Sequence, residues 1–316
     1  MYLEQVSING FKSYATEAIV AFKSGIAVIV GNNGVGKSNI LDAITWALGE
    51  DDVSRLRVGG AEELLFCGTK EYPQAEMAKV TLLIKHGPAM EARRTEIARI
   101  KHRSGADCYL VDGKEYAFPS FLNELADIGL RDAVKTLVRQ EKINEVIGLS
   151  AGERANYVRR LLGSLDTVGQ VERDFQKFLQ VLVPEGTASL FLGAGVDELV
   201  IEASLGKQVR NSAALSGGEK SVCSLALTLA LFNQLNSPFY LLDEVEASLD
   251  WTNHKHMQGL LRLLTQDKQL IMITHLRSTI QLADSLHGIR ARKEGSSFVK
   301  YYFEMNERLL KAYRCC

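Results

Sequence analysis

The chain has little net charge, no cysteine pairing pattern and no long apolar run, and each shortage removes a class of function. Its 316 residues carry a formal charge of −1, so no global field draws it to nucleic acid or an anionic membrane, and any polyanion contact has to come from a local patch. Cys67, Cys108, Cys223, Cys315 and Cys316 form no C-x-x-C pair, have no histidine at metal-ligating spacing and cannot make an even framework. That pattern points to free thiols in a reducing compartment. No stretch reaches the roughly 18 apolar residues of a bilayer span; the best candidate, Leu225 to Phe232, is short and contains Thr228. Residues 1 to 10 lack a charged segment followed by an apolar one. These absences predict a cytoplasmic chain with no membrane partner. With 46% hydrophobic residues, the chain can bury the core of one large α/β domain or two modest ones.

Against this plain background one stretch is rich in chemistry. Gly31-Asn32-Asn33-Gly34-Val35-Gly36-Lys37-Ser38 fits G-x-x-x-x-G-K-[ST] and follows the apolar run Ile26 to Val30, so it reads as strand, phosphate loop and helix. Glycines let backbone N–H groups curl around phosphate oxygens, Lys37 can reach the β and γ phosphates, and Ser38 can ligate Mg²⁺. The following helix adds its positive N-terminal end. Ile40, Leu41, Ile44, Ala47 and Leu48 share one face at helical spacing, and Gly49 is a natural stop.

In chain order, residues Tyr2 to Val30 alternate as strands leading into the loop. More strand-like runs follow at Val80 to Ile84, Glu96 to Lys101 and Cys108 to Val111, with Asp112-Gly113 as a hairpin turn before Lys114 to Phe118. Period two places Arg99, Lys101 and Arg103 on one strand face. Two readings of that face stay open, a charged edge strand and a DNA-backbone contact. From Phe121 to Arg160 the pattern turns helical, with Gln140 at a junction. Val158, Leu161, Leu165, Val168, Phe175, Leu179 and Leu182 approach heptad spacing but are broken by Gly163-Ser164 and Gly169. They predict a stub of two short helices joined by a turn. Strands return after Pro184. Leu215 to Lys220 then opens a helix that is apolar nearly all round and so buried. Phe239 to Leu242 runs into Asp243-Glu244, and Ile271 to Thr274 runs into His275, two strands ending in chemical groups where ligands of open parallel sheets collect. A last strand reaches Phe303, and a helix is expected from Met305 to about Arg314.

The order of P-loop, LSGGEK (Leu215 to Lys220), LLDE (Leu241 to Glu244), SLD (Ser248 to Asp250) and a strand-terminal histidine resembles an ABC-type ATPase. Phe11-Lys12-Ser13-Tyr14, GNNGVGKSNILDAITWALGE (Gly31 to Glu50), LSGGEKS and DEVEASLD (Asp243 to Asp250) resemble more narrowly the head of structural maintenance of chromosomes (SMC) proteins. ITH at Ile273 to His275 and Ala283 to Gly288 extend the resemblance over almost the whole chain. The implied fold is α/β, an ABC-ATPase head with a mixed or antiparallel β subdomain, a P-loop parallel-sheet core and a helical signature region. Its implied lobes are 1–162 and 175–316, with the stub 163–174 between them.

The resemblance implies ATP and Mg²⁺ as cofactors. Asn32 to Gly36, Lys37, Ser38 and Asn39 would cradle the nucleotide, bordered by Lys12 and Ser13. Arg57 matches the family's arginine near the phosphates, although Val58 follows it where glycine is usual. Ser38, Gln140 and Asp243 would serve the metal. Glu244 would orient water or act as general base, because a carboxylate beside a metal-binding aspartate can align water for in-line attack. His275 would sense the γ-phosphate. Ser216, Gly217 and Gly218 open a helix whose N–H groups make an anion site; in this family they, with Asp250, complete the pocket of a second head, so two heads sandwich two ATP molecules. DNA and a kleisin subunit are implied partners, in chromosome condensation and segregation at the nucleoid.

An SMC protein carries long coiled-coil arms between its head lobes, and here only the stub separates them. This favours a head whose arms have been replaced by a short join over a naturally armless relative. The competing functions are a RecF-like DNA-repair ATPase, a transporter's nucleotide-binding subunit and a nucleotide-gated scaffold with little turnover. Intact LSGGEKS and DEVEASLD favour the SMC reading, and Lys37, Asp243 and Glu244 favour a working site.

Overall fold

The structure is a computed structural model that describes residues 1–87, 93–193, 197–206, 208–249 and 251–304. The helix expected from Met305 lies outside them. In chain order the elements are β1 (Tyr2–Asn9), β2 (Ala18–Ala21), β3 (Ile26–Val30), α1 (Lys37–Ala47), β4 (Met77–His86), β5 (Arg93–His102), β6 (Asp107–Val111), β7 (Lys114–Tyr116), α2 (Phe118–Ile128), β8 (Leu137–Arg139), α3 (Glu145–Gly148), α4 (Ala151–Leu162), α5 (Val168–Leu182), β9 (Thr187–Leu192), β10 (Leu199–Ser204), β11 (Arg210–Asn211), α6 (Gly217–Asn233), β12 (Phe239–Asp243), α7 (Trp251–Leu264), β13 (Gln269–Ile273), α8 (Arg277–Ile280), β14 (Ser285–Ala291) and β15 (Ser297–Glu304). They divide into two compact units. One holds Met1–Leu137, Asn236–Asp243 and the described residues from Asp267 on; the other holds Val138–Leu235 and Glu244–Gln266.

The first unit contains the antiparallel sheet β2-β1-β4-β5-β6-β7 and a mixed sheet in which β15-β14-β3-β13-β12 lie side by side. Within the latter, β14, β3, β13 and β12 are parallel, and β15 closes one end antiparallel to β14. The expected Asp112-Gly113 turn is present, both residues taking the left-handed backbone (φ 48 and 77) that a tight hairpin requires. Helix α1 packs against strands of both sheets. As a result Asp42, Ala43, Thr45 and Trp46 are buried along with the apolar face predicted for it, and the helix that starts at the P-loop is held on every side. Each fully buried aliphatic side chain there contributes roughly 2 kcal/mol. Gln269 ties the sheets where β1 and β4 slip register at Leu3. Its Nε2 donates to the Leu3 and Lys23 carbonyls at 3.0 and 2.8 Å, and its Oε1 accepts from Leu3 N at 2.9 Å, so this buried amide leaves none of its groups unpaired.

The basic face of β5 is not on an edge strand, and Arg99 on it does not reach solvent. β5 lies between β4 and β6, and the alternation that groups Arg99 with Lys101 also groups it with Thr95 and Ile97, which are buried. Arg99 is 2% exposed. Its Nη1 donates to the Trp46 and Glu50 carbonyls, both at 3.0 Å, at the C-terminal end of α1, where a cation meets the negative end of the helix dipole. Nη2 pairs with Asp51 and reaches Tyr109 Oη, and the guanidinium lies over the Trp46 and Tyr109 rings. Lys101 pairs with Asp107 at 3.1 Å, and Arg103 follows the strand and donates to Ala75 O. All three bind this protein's own groups.

The second unit is built on helices and the small sheet β11-β10-β9. The heptad-like stretch is α4 and α5, two helices joined by a turn, as its broken spacing predicts; Gly163 terminates α4 in the left-handed conformation. Ser150 and Glu153 form a capping box that starts α4. Helix α6 is buried continuously from Ser221 to Phe232, and α5 packs on it. Arg154, 3% exposed, donates to the carbonyls of Val146, Ile147, Leu149 and Leu199 and to Ser212 Oγ. One side chain thus ties α4 to β10 and to the segment that precedes α6.

Candidate nucleotide site

At the carboxyl end of the parallel strands the register sets Ile29, Ile273 and Asp243 abreast. The chain leaves β3 into the P-loop two residues past Ile29, and His275 follows β13 two residues past Ile273, exposed to solvent. The first unit therefore gathers the loop, the Asp243 carboxylate and His275 at one rim, as expected for ligands of open parallel sheets.

Asn32, Asn33 and Gly34 are exposed, and Val35 and Gly36 half-buried. Lys37 is 6% exposed, and its Nζ curls back to donate to the Gly31 and Asn32 carbonyls at 3.0 and 3.1 Å, closing the loop into a ring around its own ammonium. Ser38 Oγ donates to Asp243 Oδ1 at 3.2 Å. A hydroxyl and one carboxylate fit Mg²⁺, which takes few protein oxygens and fills its shell with phosphate oxygens and water. Among the described residues no cluster of three or more histidine, cysteine, aspartate or glutamate side chains could hold a metal alone.

Gly36 shows how tightly the loop is backed. Its φ is 93°, and a Cβ there would lie 2.3 Å from Ser297 Oγ and 2.6 Å from Ser13 Oγ. Ser297 Oγ donates to Val35 O at 2.8 Å or to Ser13 Oγ at 2.7 Å, and Ser297 N donates to Ser13 O at 2.8 Å. Asn39 Nδ2 donates to the same Ser13 Oγ at 2.8 Å, and Tyr14 Oη donates to Gly36 O at 3.1 Å. Burial pushes the Tyr14 phenol up, which keeps it a donor. Ser13 and Asn39 thus meet behind the loop. Ser297, 259 positions beyond Ser38 in the sequence, carries no local signal. Lys12 and Arg57 both pair with Asp42 on α1 at 2.6 Å. A lone acid in the apolar run of α1 announces a partner, because a buried charge needs one.

The remaining candidates belong to the second unit. Glu244 begins the second segment of that unit with a left-handed backbone (φ 52, ψ 34), an unusual conformation for glutamate, of the kind that clusters at functional sites. Gln140 is exposed at the start of a short 3₁₀ turn. Ser216, Gly217 and Gly218 are exposed at the start of α6. Ser216 caps it, with Oγ accepting from Glu219 N at 3.4 Å and Glu219 Oε2 accepting from Ser216 N at 2.7 Å. The Ser216 backbone N–H, then its hydroxyl, hold the Glu219 carboxyl below its usual range. The capping box occupies the Ser216 and Glu219 N–H groups, leaving those of Gly217 and Gly218 as the outward donors, with open space beside both. Asp250 lies outside the described residues.

The family model for the RecF/RecN/SMC N terminal domain matches residues 2–297. The chromosome partition protein Smc of Mycolicibacterium paratuberculosis is 31% identical over 180 residues, covering 56% of this chain and 15% of that protein; the chain spans only a small part of such relatives. The crystal structure of an Smc head bound to the C-winged helix domain of ScpA superposes with a TM-score of 0.85 at 30% identity, covering 96% of this chain and 99% of that one. The SMC head domain from Thermotoga maritima gives 0.71 at 29% identity, covering 97% and 100%. No helix among the described residues is long and apolar enough to cross a membrane. The chain belongs to the RecF/RecN/SMC N-terminal domain family, and its fold is that of an SMC head.

Proposed function

We propose that this chain is an ATP-hydrolysing head that pairs with a second copy around two Mg-ATP molecules and separates from it after hydrolysis, in the service of chromosome partition. The observation that carries the reading is the 3.2 Å contact between Ser38 Oγ and Asp243 Oδ1 beside the Lys37 ring. It joins the two residues on which phosphate and Mg²⁺ binding depend. Lys37 exchanges its loop carbonyls for phosphate oxygens, and the loop N–H groups hold the rest of the chain of phosphates. Ser38 and Asp243 would hold Mg²⁺, which when bound would neutralise charge on the phosphate oxygens; for Gln140 a role as a further oxygen donor rests on the resemblance to the family alone. Glu244 orients the attacking water and accepts its proton, and His275 hydrogen-bonds the γ-phosphate. The Gly217 and Gly218 N–H groups and the Ser216 hydroxyl cap the γ-phosphate held by the other copy, assisted by Asp250, so association reports the γ-phosphate.

The similarity to a head solved with the winged-helix domain of ScpA supports a kleisin partner for this chain. DNA remains part of the reading through the relatives' role in chromosome partition, without Arg99 as a contact. Phosphate release from Mg-ATP tests the reading: wild type should turn over, Lys37→Ala should lose nucleotide binding, and Glu244→Gln should keep binding while losing turnover. Equal turnover in all three would overturn it.

A further inference from the structure

Two cations converge on one buried carboxylate beside the P-loop. Asp42 is fully buried, and its Oδ2 accepts from Lys12 Nζ at 2.6 Å, from Arg57 Nη2 at 2.6 Å and from Arg57 Nε at 3.2 Å. Lys12 Nζ also donates to the carbonyl of Leu56, the residue before Arg57. Both cationic residues have left-handed backbones, Lys12 at φ 48 and Arg57 at φ 57. Such conformations persist only where the surroundings over-determine them; here the backbone N–H of Lys12 donates to Leu64 O, that of Arg57 donates to Ser54 O, and both side chains end on the same carboxylate.

The cluster holds one more positive charge than negative, and a buried ion pair is weak evidence of stability, since apolar residues of similar volume often fold as well. Its asymmetry is more informative. The Asp42 side chain is 0% exposed while that of Arg57 is 36% exposed. One edge of the guanidinium is pinned, and Nη1 on the other has no hydrogen-bond partner among the described residues. Arg57 Nη2 also reaches Asn39 Oδ1 at 3.3 Å, and Asn39 leads through Ser13 and Ser297 to the Val35 carbonyl. The pinned arginine is thus hydrogen-bonded into the frame that backs the P-loop.

We infer that Asp42 is a positioning residue for nucleotide binding: it fixes the Arg57 guanidinium with one edge open for the phosphate oxygens of a nucleotide on the adjoining loop. The inference rests on the nucleotide reading above and goes beyond it by assigning a role to an acid that touches no ligand. It also opposes simple Coulomb reasoning. A carboxylate near a phosphate site repels the ligand, so its removal alone should tighten binding; if Asp42 works by holding Arg57, its removal weakens binding.

The test is a titration with Mg-ATP and Mg-ADP of wild type, Asp42→Asn, Arg57→Gln, the double variant and Arg57→Lys, each checked for a cooperative melt. Each single neutral substitution should weaken binding about 10-fold, and the double variant should be no weaker than either, because both remove one arrangement. Arg57→Lys should fall with Arg57→Gln, since an ammonium cannot be pinned at one edge and donate from the other. That variant keeps Asp42 and its counter-charge, and so reports even if Asp42→Asn fails to fold. Wild-type affinity in Asp42→Asn or Arg57→Lys, or single effects that multiply to about 100-fold in the double variant, would overturn the inference while leaving the nucleotide site standing. Wild type that binds no Mg-ATP in a Lys37-dependent way would overturn the nucleotide reading and the inference with it.

Discussion

Ser38 Oγ and Asp243 Oδ1 lie 3.2 Å apart although 205 positions separate them in the chain. The pairing of β3 with β13 and of β13 with β12 produces this meeting, because it brings the end of β12 level with the start of the P-loop. The chemistry of the site is therefore a property of the sheet register.

Gly36 should tolerate no side chain. Alanine there takes a left-handed backbone at a cost of about 1–3 kcal/mol and drives its Cβ into Ser297 Oγ. Gly36→Ala should abolish Mg-ATP binding in a calorimetric titration. Adding Ser297→Ala should recover only part of it, since the backbone strain persists. Full recovery would mean that the clash alone forbids the side chain.

Arg99 should matter for stability. Arg99→Leu strips the Trp46 and Glu50 carbonyls of their donor and Asp51 of its cation; Asp51 is half exposed and meets water instead, so the loss is that of the unmet backbone acceptors, about 1–3 kcal/mol. A denaturant titration should show an earlier midpoint. An unchanged midpoint would contradict the buried role.

His287 gives the first unit a pH dependence. It is fully buried between the Phe22 and Tyr302 rings, and desolvation lowers it from 6.5 to about 4. Between those values the unfolded chain takes up a proton that the folded chain refuses. Stability is thus complete above about pH 6.5 and falls as pH drops toward 4, by up to about 3 kcal/mol. Melting His287→Phe and wild type in parallel at pH 5 and pH 7.5 should show a smaller acid loss in the variant. Equal losses would place the acid sensitivity elsewhere.

These cases also show what was legible in the sequence. The P-loop, its helix and the Asp112-Gly113 turn were readable because their backbone demands are local and few residues meet them. Period two identifies the strand face at Arg99 but not which way it points. Ile97 on the same face pointed to the core, but the carbonyls and rings of α1 that accept an arginine there come from another part of the chain. Asp42 inside an apolar run announces a partner without identifying it, and Ser297 carries no signal at all, since a serine gains its meaning only when β15 sets it behind Gly36. The capping box of Ser216 and Glu219 was present as S-x-x-E, a pattern that also reads as part of the signature.

Ser216 should be separable from the nucleotide-binding residues. Ser216→Ala loses the cap of α6, worth about 1 kcal/mol, and should lower the melting temperature slightly. Ser216→Arg should leave Mg-ATP affinity unchanged in a titration and prevent nucleotide-dependent association. Loss of affinity would place Ser216 in the pocket of its own chain.

The central claim is that the nucleotide site controls association. Light scattering coupled to size exclusion of Glu244→Gln, with and without saturating Mg-ATP, tests it most directly. The account predicts a monomer without nucleotide, a stable dimer with Mg-ATP, and a monomer again when Ser216→Arg is added. A Glu244→Gln chain that binds Mg-ATP and stays monomeric would contradict it.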